Sequence, residues 1–359
     1  MKARFIKLTF LSLVALCACD NLQEQDFFGP SLSTVKFGKT QDLSFSESYE
    51  IGAFLPMSYI VDSMVVSLDR NGQEYMYSLS SFPGDKLLGT YCRKGRSSKE
   101  VLNCLPVMDT YDNQNGELCS DLFSYGDGRI FSWNISRSRQ MGTDVYDRIV
   151  QLRNDEDYFP VLSCYHLDST HVIVRNSRQR AAVEELVEVP CYEIYSMESG
   201  AKETDYELFK MTPVKTKDII YSAKSFYAST DCINPNWTKI AFGMGYMPVY
   251  GILDLASGDY ACFRVKGFRK FSKKDRIWHF CSMVSDDHYI YALYYGGDIS
   301  NPNAKRKEST LLVMDWDGVP VSSFSLDEYV TELKMSDGIL YFTGRDNVIH
   351  SIDTDDLSY

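Results

Sequence analysis

Two stretches decide the fold: Tyr289-Ile290-Tyr291-Ala292-Leu293, and further along Leu311-Leu312-Val313-Met314-Asp315-Trp316-Asp317-Gly318. Both are β-prone runs in which neither alternate set of residues is polar. A sheet with one wet face alternates apolar and polar positions, whereas a strand covered on both faces reads as a continuous apolar run. The second stretch ends in Asp-Trp-Asp-Gly, a tight-turn signal of the hairpin kind. Strands covered on both faces and joined by tight turns fit blades packed face to face around an axis.

Working outward, two turn signals recur. One is a polar turn feeding a hydrophobic run, as in Asp127-Gly128-Arg129-Ile130-Phe131, Asp168-Ser169-Thr170-His171-Val172-Ile173 and Asn236-Trp237-Thr238-Lys239-Ile240. It returns as Asp287-His288-Tyr289-Ile290-Tyr291 and Asp337-Gly338-Ile339-Leu340-Tyr341. The other is a strand ending in a hairpin turn: Val66 to Gly72, Tyr195 to Gly200, Leu253 to Gly258 and Met314 to Gly318. The two signals alternate at a period of ~50 residues, within the range of propeller blades. Six units follow, at roughly 50–100, 101–158, 159–212, 213–270, 271–328 and 329–359. The last has room for only three strands, near 331–335, 339–343 and 348–352.

The N-terminal piece from Thr34-Val35-Lys36-Phe37 to Leu43-Ser44-Phe45 has no partner of its own. It is therefore expected to supply the missing outer strand and close the ring, which leaves only short, protected edges. The expected fold class is all-β: a six-bladed β-propeller over residues 34–359, with an N-terminal strand closing the last blade. A seven-bladed ring or a pair of β-sandwiches is the alternative. The one stretch with helical rhythm, residues 179–187, is expected to form a short inserted helix.

The first 18 residues read as an export signal. Lys2, Arg4 and Lys7 precede a mostly apolar run, and Leu16-Cys17-Ala18-Cys19 closes it. The run is too short to span a bilayer, which takes ~20 residues. The pattern resembles a bacterial lipoprotein signal, with Ala18 at the cut and Cys19 as the lipid-attachment residue. A diacylglycerol on the thioether and a palmitate-type chain on the amine would hold stably, since one chain alone binds marginally. Residues 19–33, with Asp20, Glu24, Asp26 and the breaker Gly29-Pro30-Ser31, are expected to be a flexible tether. The expected location is the cell envelope, at the outer membrane, with the membrane face left open.

Composition narrows the partners. The chain has 359 residues, 37 Lys+Arg, 49 Asp+Glu and a net charge of -12. Removing the leader takes basic residues only, so the mature body is more acidic still. Such a body makes a poor nucleic-acid binder and meets a membrane through its lipid anchor alone. Of the 10 cysteines, Cys17 leaves with the leader and Cys19 is lipidated. The remaining eight, Cys92, Cys104, Cys119, Cys164, Cys191, Cys232, Cys262 and Cys281, form no close CxxC pair. They are expected to be buried small hydrophobes, with one or two disulfides left open because pairing cannot be read from sequence.

No reactive constellation is visible, so no catalytic residue, metal ligand or cofactor is assigned. The 5 histidines make no HExxH or other metal spacing, and there is no GxSxG. Gly38-Lys39-Thr40 resembles the end of a phosphate loop, but Ser33 stands where the first glycine belongs. His166 and His171 flank a turn and are expected to be structural. Most carboxylates fall in turns, where Asp serves the backbone. The ligand-binding candidates are Trp237, Tyr294 and Tyr295, which could stack on sugar rings, and Arg93 and Lys94, which could meet an acidic partner. A second basic cluster comprises Arg269, Lys270, Lys273, Lys274 and Arg276. Two functions follow: a non-enzymatic binding or scaffold protein for a protein or glycan partner, or an envelope hydrolase or lyase using channel carboxylates, with or without calcium.

Leu311-Leu312-Val313-Met314-Asp315-Trp316-Asp317-Gly318-Val319-Pro320, followed by Phe324-Ser325-Leu326-Asp327, resembles the last-blade signature of the TolB-like six-bladed propeller lipoproteins of Bacteroidetes. Arg93-Lys94-Gly95-Arg96-Ser97-Ser98-Lys99-Glu100 is similar to that family's early glycine-rich loop. Cys92, Ser97 and Ser98 stand where the family shows glycine, glycine and proline. The resemblance implies a six-bladed ring behind a lipid anchor. The motifs are structural and carry no activity over.

Overall fold

The computed structural model describes residues 28, 32–50, 57–69, 72, 74–153, 161–181, 186–209, 227–268, 277–298, 308–344 and 348–359. Three short strands open the chain: β1 (Leu32–Val35), β2 (Gln41–Leu43) and β3 (Glu47–Glu50). Six sheets follow. Blade one is β4 (Ser58–Val61), β5 (Met64–Leu68), β6 (Tyr75–Ser81) and β7 (Leu87–Arg93). Blade two is β8 (Tyr111–Asp112), β9 (Leu118–Ser124), β10 (Arg129–Asn134) and β11 (Tyr146–Gln151). Blade three is β12 (Ser163–Asp168), β13 (His171–Ala181), β14 (Leu186–Ser196) and β15 (Lys202–Glu207). Blade four is β16 (Ser229–Ile233), β17 (Lys239–Met244), β18 (Val249–Asp254) and β19 (Tyr260–Val265). Blade five is β20 (Ile277–Ser285), β21 (Tyr289–Asp298), β22 (Thr310–Asp315) and β23 (Pro320–Leu326). Blade six is β24 (Glu332–Ser336), β25 (Ile339–Thr343) and β26 (Val348–Asp353), completed by β3. The fold is the expected six-bladed β-propeller.

The closure differs from expectation in its detail. The strand that completes blade six is β3, antiparallel to β26 with Ser48 opposite His350. The segment before it does other work. β1 runs parallel to β19 as a fifth strand of blade four, and β2 runs parallel to β23 as a fifth strand of blade five. The N-terminal piece is thus a belt over three successive outer edges. Phe28 lies ahead of it, fully buried and edge-on to Phe209 at 5.2 Å.

Residues 179–181 and 186–187 of the expected helix are instead strand, in the pair β13–β14, whose register runs unbroken from His171↔Ser196 to Ala181↔Leu186; residues 182–185 lie outside the described residues. A helix forms elsewhere: α1 (Ile135–Met141) occupies the turn between β10 and β11. Asn134 caps it by accepting from the Arg137 amide at 2.9 Å, and Gly142 ends it at a φ of 67°. Among the described residues, no helix is long and apolar enough to cross a membrane.

The doubly apolar strands are explained by where the core sits. Six apolar clusters lie in the seams, one between each pair of neighbouring blades. Tyr165, Ile173 and Tyr192 of blade three meet Ile240, Phe242 and Leu253 of blade four. Tyr291 and Val313 of blade five meet Leu333 and Phe342 of blade six. Burying one such side chain contributes ~1.5–3 kcal/mol. The seam between blades six and one is the smallest: Ile60, Val65, Tyr341 and Ile349 form its buried part. The third turns of blades three and five lean on the outer strand of the blade before. At Gly200 (φ +70°) an added Cβ would lie 2.0 Å from the Gln151 carbonyl, and at Gly318 (φ +80°) 2.3 Å from the Phe263 ring. Those two positions need glycine for conformation and for contact alike.

Candidate functional site

The innermost strands surround a central cavity of about 320 Å³. Every blade contributes to its wall: Tyr59, Asp109, Tyr165, Asp231, Ser285 and Lys334 come from blades one to six in turn. Polar contacts stitch the wall across the seams. The Tyr165 hydroxyl donates to the Asp231 carbonyl at 3.1 Å, Ser285 Oγ to the Ile233 carbonyl at 2.9 Å, and the Leu333 amide to Ser282 Oγ at 3.0 Å.

Between blades three and four the stitch is a buried charge cluster. Asp231 accepts from Ser163 Oγ at 3.0 Å, the Tyr165 hydroxyl at 3.0 Å and the Tyr192 hydroxyl at 3.1 Å. Arg175 lies 3.5 Å from the same carboxylate and donates to the Ser229 carbonyl at 2.9 Å. Burial and the neighbouring Asp231 hold the Tyr165 and Tyr192 phenols well above their ordinary range. With its acceptor sites filled by protein donors, Asp231 is a structural centre.

A groove of about 480 Å³ lies beside the channel between blades two and three. Its floor is Asp121 and His166. Asp121 is buried and accepts from Ser132 Oγ at 2.6 Å, from the Tyr111 hydroxyl at 3.2 Å and from His166 Nδ1 at 2.8 Å. The Tyr111 ring stacks on the imidazole with centroids 3.5 Å apart. The His166 amide donates to Asp109 Oδ2 at 2.8 Å, while Asp109 Oδ1 is buried with no partner among the described residues. Burial, and then the nearby Asp121, push the Asp109 carboxyl well above the usual range.

Trp237 lines both the channel and the groove. Its ring stands edge-on to His166 at 5.6 Å. The turn that presents it is built on Asn234, which is buried. Asn234 Oδ1 accepts from the Thr238 and Lys239 amides, each at 2.8 Å. Its carbonyl accepts the Trp237 amide at 2.8 Å. These bonds hold Trp237 at a φ of 54°, a left-handed conformation that costs a non-glycine residue about 1–3 kcal/mol. Strain of this kind persists where the surroundings over-determine a position, and here it fixes a half-buried indole at the channel mouth.

Of the sequence-derived ligand candidates, the structure brings Trp237 alone to this site. Tyr294 is buried, stacked on Phe268 at 3.8 Å and bonded to His279 Nδ1 at 3.2 Å. Tyr295 is buried and edge-on to Tyr329 at 5.1 Å. Arg93 lies on the surface of blade one, 3.8 Å from Glu74 and 3.9 Å from Glu100. Lys94 donates to the backbone carbonyls of Asp69 and Gly72. Cys19 and the cluster Arg269 to Arg276 lie outside the described residues. The eight body cysteines are unpaired, and all but Cys281 are buried. Burial drives the Cys164 thiol well above its ordinary value, so it makes no thiolate pair with His166. Among the described residues, no group of three or more His, Cys, Asp or Glu side chains is placed to hold a metal ion. Sequence reading missed Tyr111, Asp121 and the exposed edge of His166. These residues come from two blades, and their joint signal is spatial.

No family model matches the chain, and no curated protein does. Solved structures do. A member of the DUF4221 family from Bacteroides vulgatus is similar at a TM-score of 0.57 and 9% identity, over 86% of this chain and 96% of that one. A candidate exported protein from Bacteroides fragilis gives 0.45 at 8% identity, over 90% and 99%. A streptogramin B lyase gives 0.43 at 10% identity, over 85% and 96%. At such identities the first likeness bears on the fold alone, and the other two add no argument.

Proposed function

We propose that this chain is a lipid-anchored propeller of the cell envelope, of the TolB-like kind, that binds a glycan at the mouth of its channel. Trp237 carries the reading. It is an indole held in a strained backbone by a buried asparagine, half open, on the wall shared by the channel and the groove. An aromatic face beside carboxylates and side-chain amides suits a polyhydroxylated ligand: the ring takes the apolar face of a sugar and the polar groups take its hydroxyls. The acidic lining turns away sulfated or uronate-rich chains, and nucleic acid with them.

Binding of neutral oligosaccharides, followed by calorimetry with the wild type and Trp237→Ala, tests the reading. Loss of about tenfold or more in affinity with unchanged circular dichroism is expected, since one base- or sugar-sized stacking contact is worth ~1–3 kcal/mol. Equal affinities would remove Trp237 from the site. For the anchor, Cys19→Ser should move the protein from the membrane fraction to the soluble one.

A further inference from the structure

We infer that the groove between blades two and three selects a sugar unit bearing a free ammonium group, with His166 Nε2 as its acceptor; this rests on the glycan reading above. Asp121 fixes the imidazole. Its carboxylate, which only accepts, takes a hydrogen bond from Nδ1 at 2.8 Å, so Nδ1 carries the proton. A ring that carries this one proton presents a lone pair at Nε2. His166 is 8% exposed, packed under Tyr111 and against Trp237. Among the described residues no donor meets Nε2, and His166 lines the groove. A polar atom at such depth is satisfied by water or by a ligand. The ligand atom opposite it must be a donor.

Charge sharpens the ligand class. The groove lining includes Asp112, Asp121, Asp147 and Asp168 against the single guanidinium of Arg148. Arg148 is turned to the Ser169 carbonyl at 3.1 Å. Asp147 is shared with Arg137 at 3.6 Å, and Asp168 with His171 at 2.9 Å. Asp112 is exposed and has no partner among the described residues. The site therefore offers an acceptor, an uncompensated carboxylate and an indole face, and a cation that donates hydrogen bonds satisfies all three. An ammonium on a sugar ring does so while the ring takes the Trp237 stack.

Three β-1,4-linked hexamers that differ only at C2 form the test: glucosamine, N-acetylglucosamine and glucose. Near neutral pH the glucosamine hexamer should bind about tenfold or more tighter than the glucose hexamer, the effect of one hydrogen bond to a charged group. His166→Phe, which keeps a ring under Tyr111, should erase that advantage and leave glucose binding intact. Asp112→Asn, at an exposed position that does not threaten the fold, should reduce it severalfold. Equal affinity for the glucosamine and glucose hexamers, both lost in Trp237→Ala, would overturn the ammonium inference and leave the glycan reading standing. Binding of none of the three would overturn both. A lysine hexamer binding as tightly as the glucosamine hexamer would reduce the site to charge alone and overturn the inference.

Discussion

Replacing Asp231 by alanine tests whether the propeller is held by its buried polar stitch between blades three and four. The substitution leaves the Arg175 guanidinium, 6% exposed, without its counter-charge. Its bonds to the Ser229 carbonyl and Oγ remain, at 2.9 and 3.1 Å. Ser163 and Tyr192 lose their carboxylate acceptor together, while the Tyr165 hydroxyl keeps the Asp231 carbonyl. Breaking a buried pair on one side costs about 3–5 kcal/mol. With an unfolding entropy of about 2.1 cal/mol/K per residue over roughly 330 residues, a loss of about 4 kcal/mol lowers the melting temperature by about 6 °C. Urea unfolding followed by circular dichroism and tyrosine fluorescence measures it. The double variant Arg175→Met with Asp231→Leu removes both charges and should recover part of the loss, but not all, because the Ser163 and Tyr192 hydroxyls stay buried without that acceptor. A cost under about 1 kcal/mol for Asp231→Ala, or a double variant no more stable than the single, would refute the reasoning.

The Asp109 carboxyl sits above its ordinary range, so the folded state holds its proton more firmly than the unfolded chain. The stabilisation from that proton is complete below the unfolded value and is lost as pH rises through the folded one. Asp109→Asn should therefore raise the urea midpoint at neutral pH and flatten its pH dependence; an unchanged profile would argue against a protonated Asp109. Phe28→Ala should cost about 3–5 kcal/mol, because the ring is fully buried against Phe209; an unaltered midpoint would detach Phe28 from the core. Burial pushes the thiols of Cys104, Cys119, Cys191 and Cys281 up to about 12. The folded protein should thus resist thiol reagents at its seven buried cysteines, with the half-buried Cys281 the one site open to native labelling; more than one label on native protein, or fewer than eight after denaturation, would contradict the free, largely buried thiols.

The sequence carried the number of blades because each blade buries both faces, and that leaves an apolar run no exposed sheet would show. It carried the rhythm of the turns better than their phase. Tyr195 to Gly200, Leu253 to Gly258 and Met314 to Gly318 fall between third and fourth strands, but Val66 to Gly72 falls between β5 and β6, the second and third. The belt was only partly legible. The exposure pattern of β1 is mixed and that of β3 largely open, and an edge strand needs few apolar residues to pair. Ser33 meets Cys262 across 229 positions, so nothing local names the partner. At residues 179–187 the pairing of two long strands overrode a helical rhythm, as tertiary pairing does with weak local preference. Within the site, Trp237 was visible as an aromatic in a turn. Tyr294 and Tyr295 looked equivalent to it, because an apolar run on a doubly covered strand does not say which rings are sealed. His166 was read against its neighbour across the turn, while its partner Asp121 lies 45 positions away on another blade.

The belt also decides how the molecule meets force. Among the described residues, a pull from the N-terminal side meets Phe28 first, packed in the seam of blades three and four. It then reaches β1, aligned with β19, and next β2, aligned with β23. Only after those is β3 loaded, where Ser48 and His350 join positions 302 residues apart inside blade six. The strand that keeps the circle shut is thus the last to feel tension. The two parallel strands before it act as a strain relief, as a cable clamp protects a soldered joint.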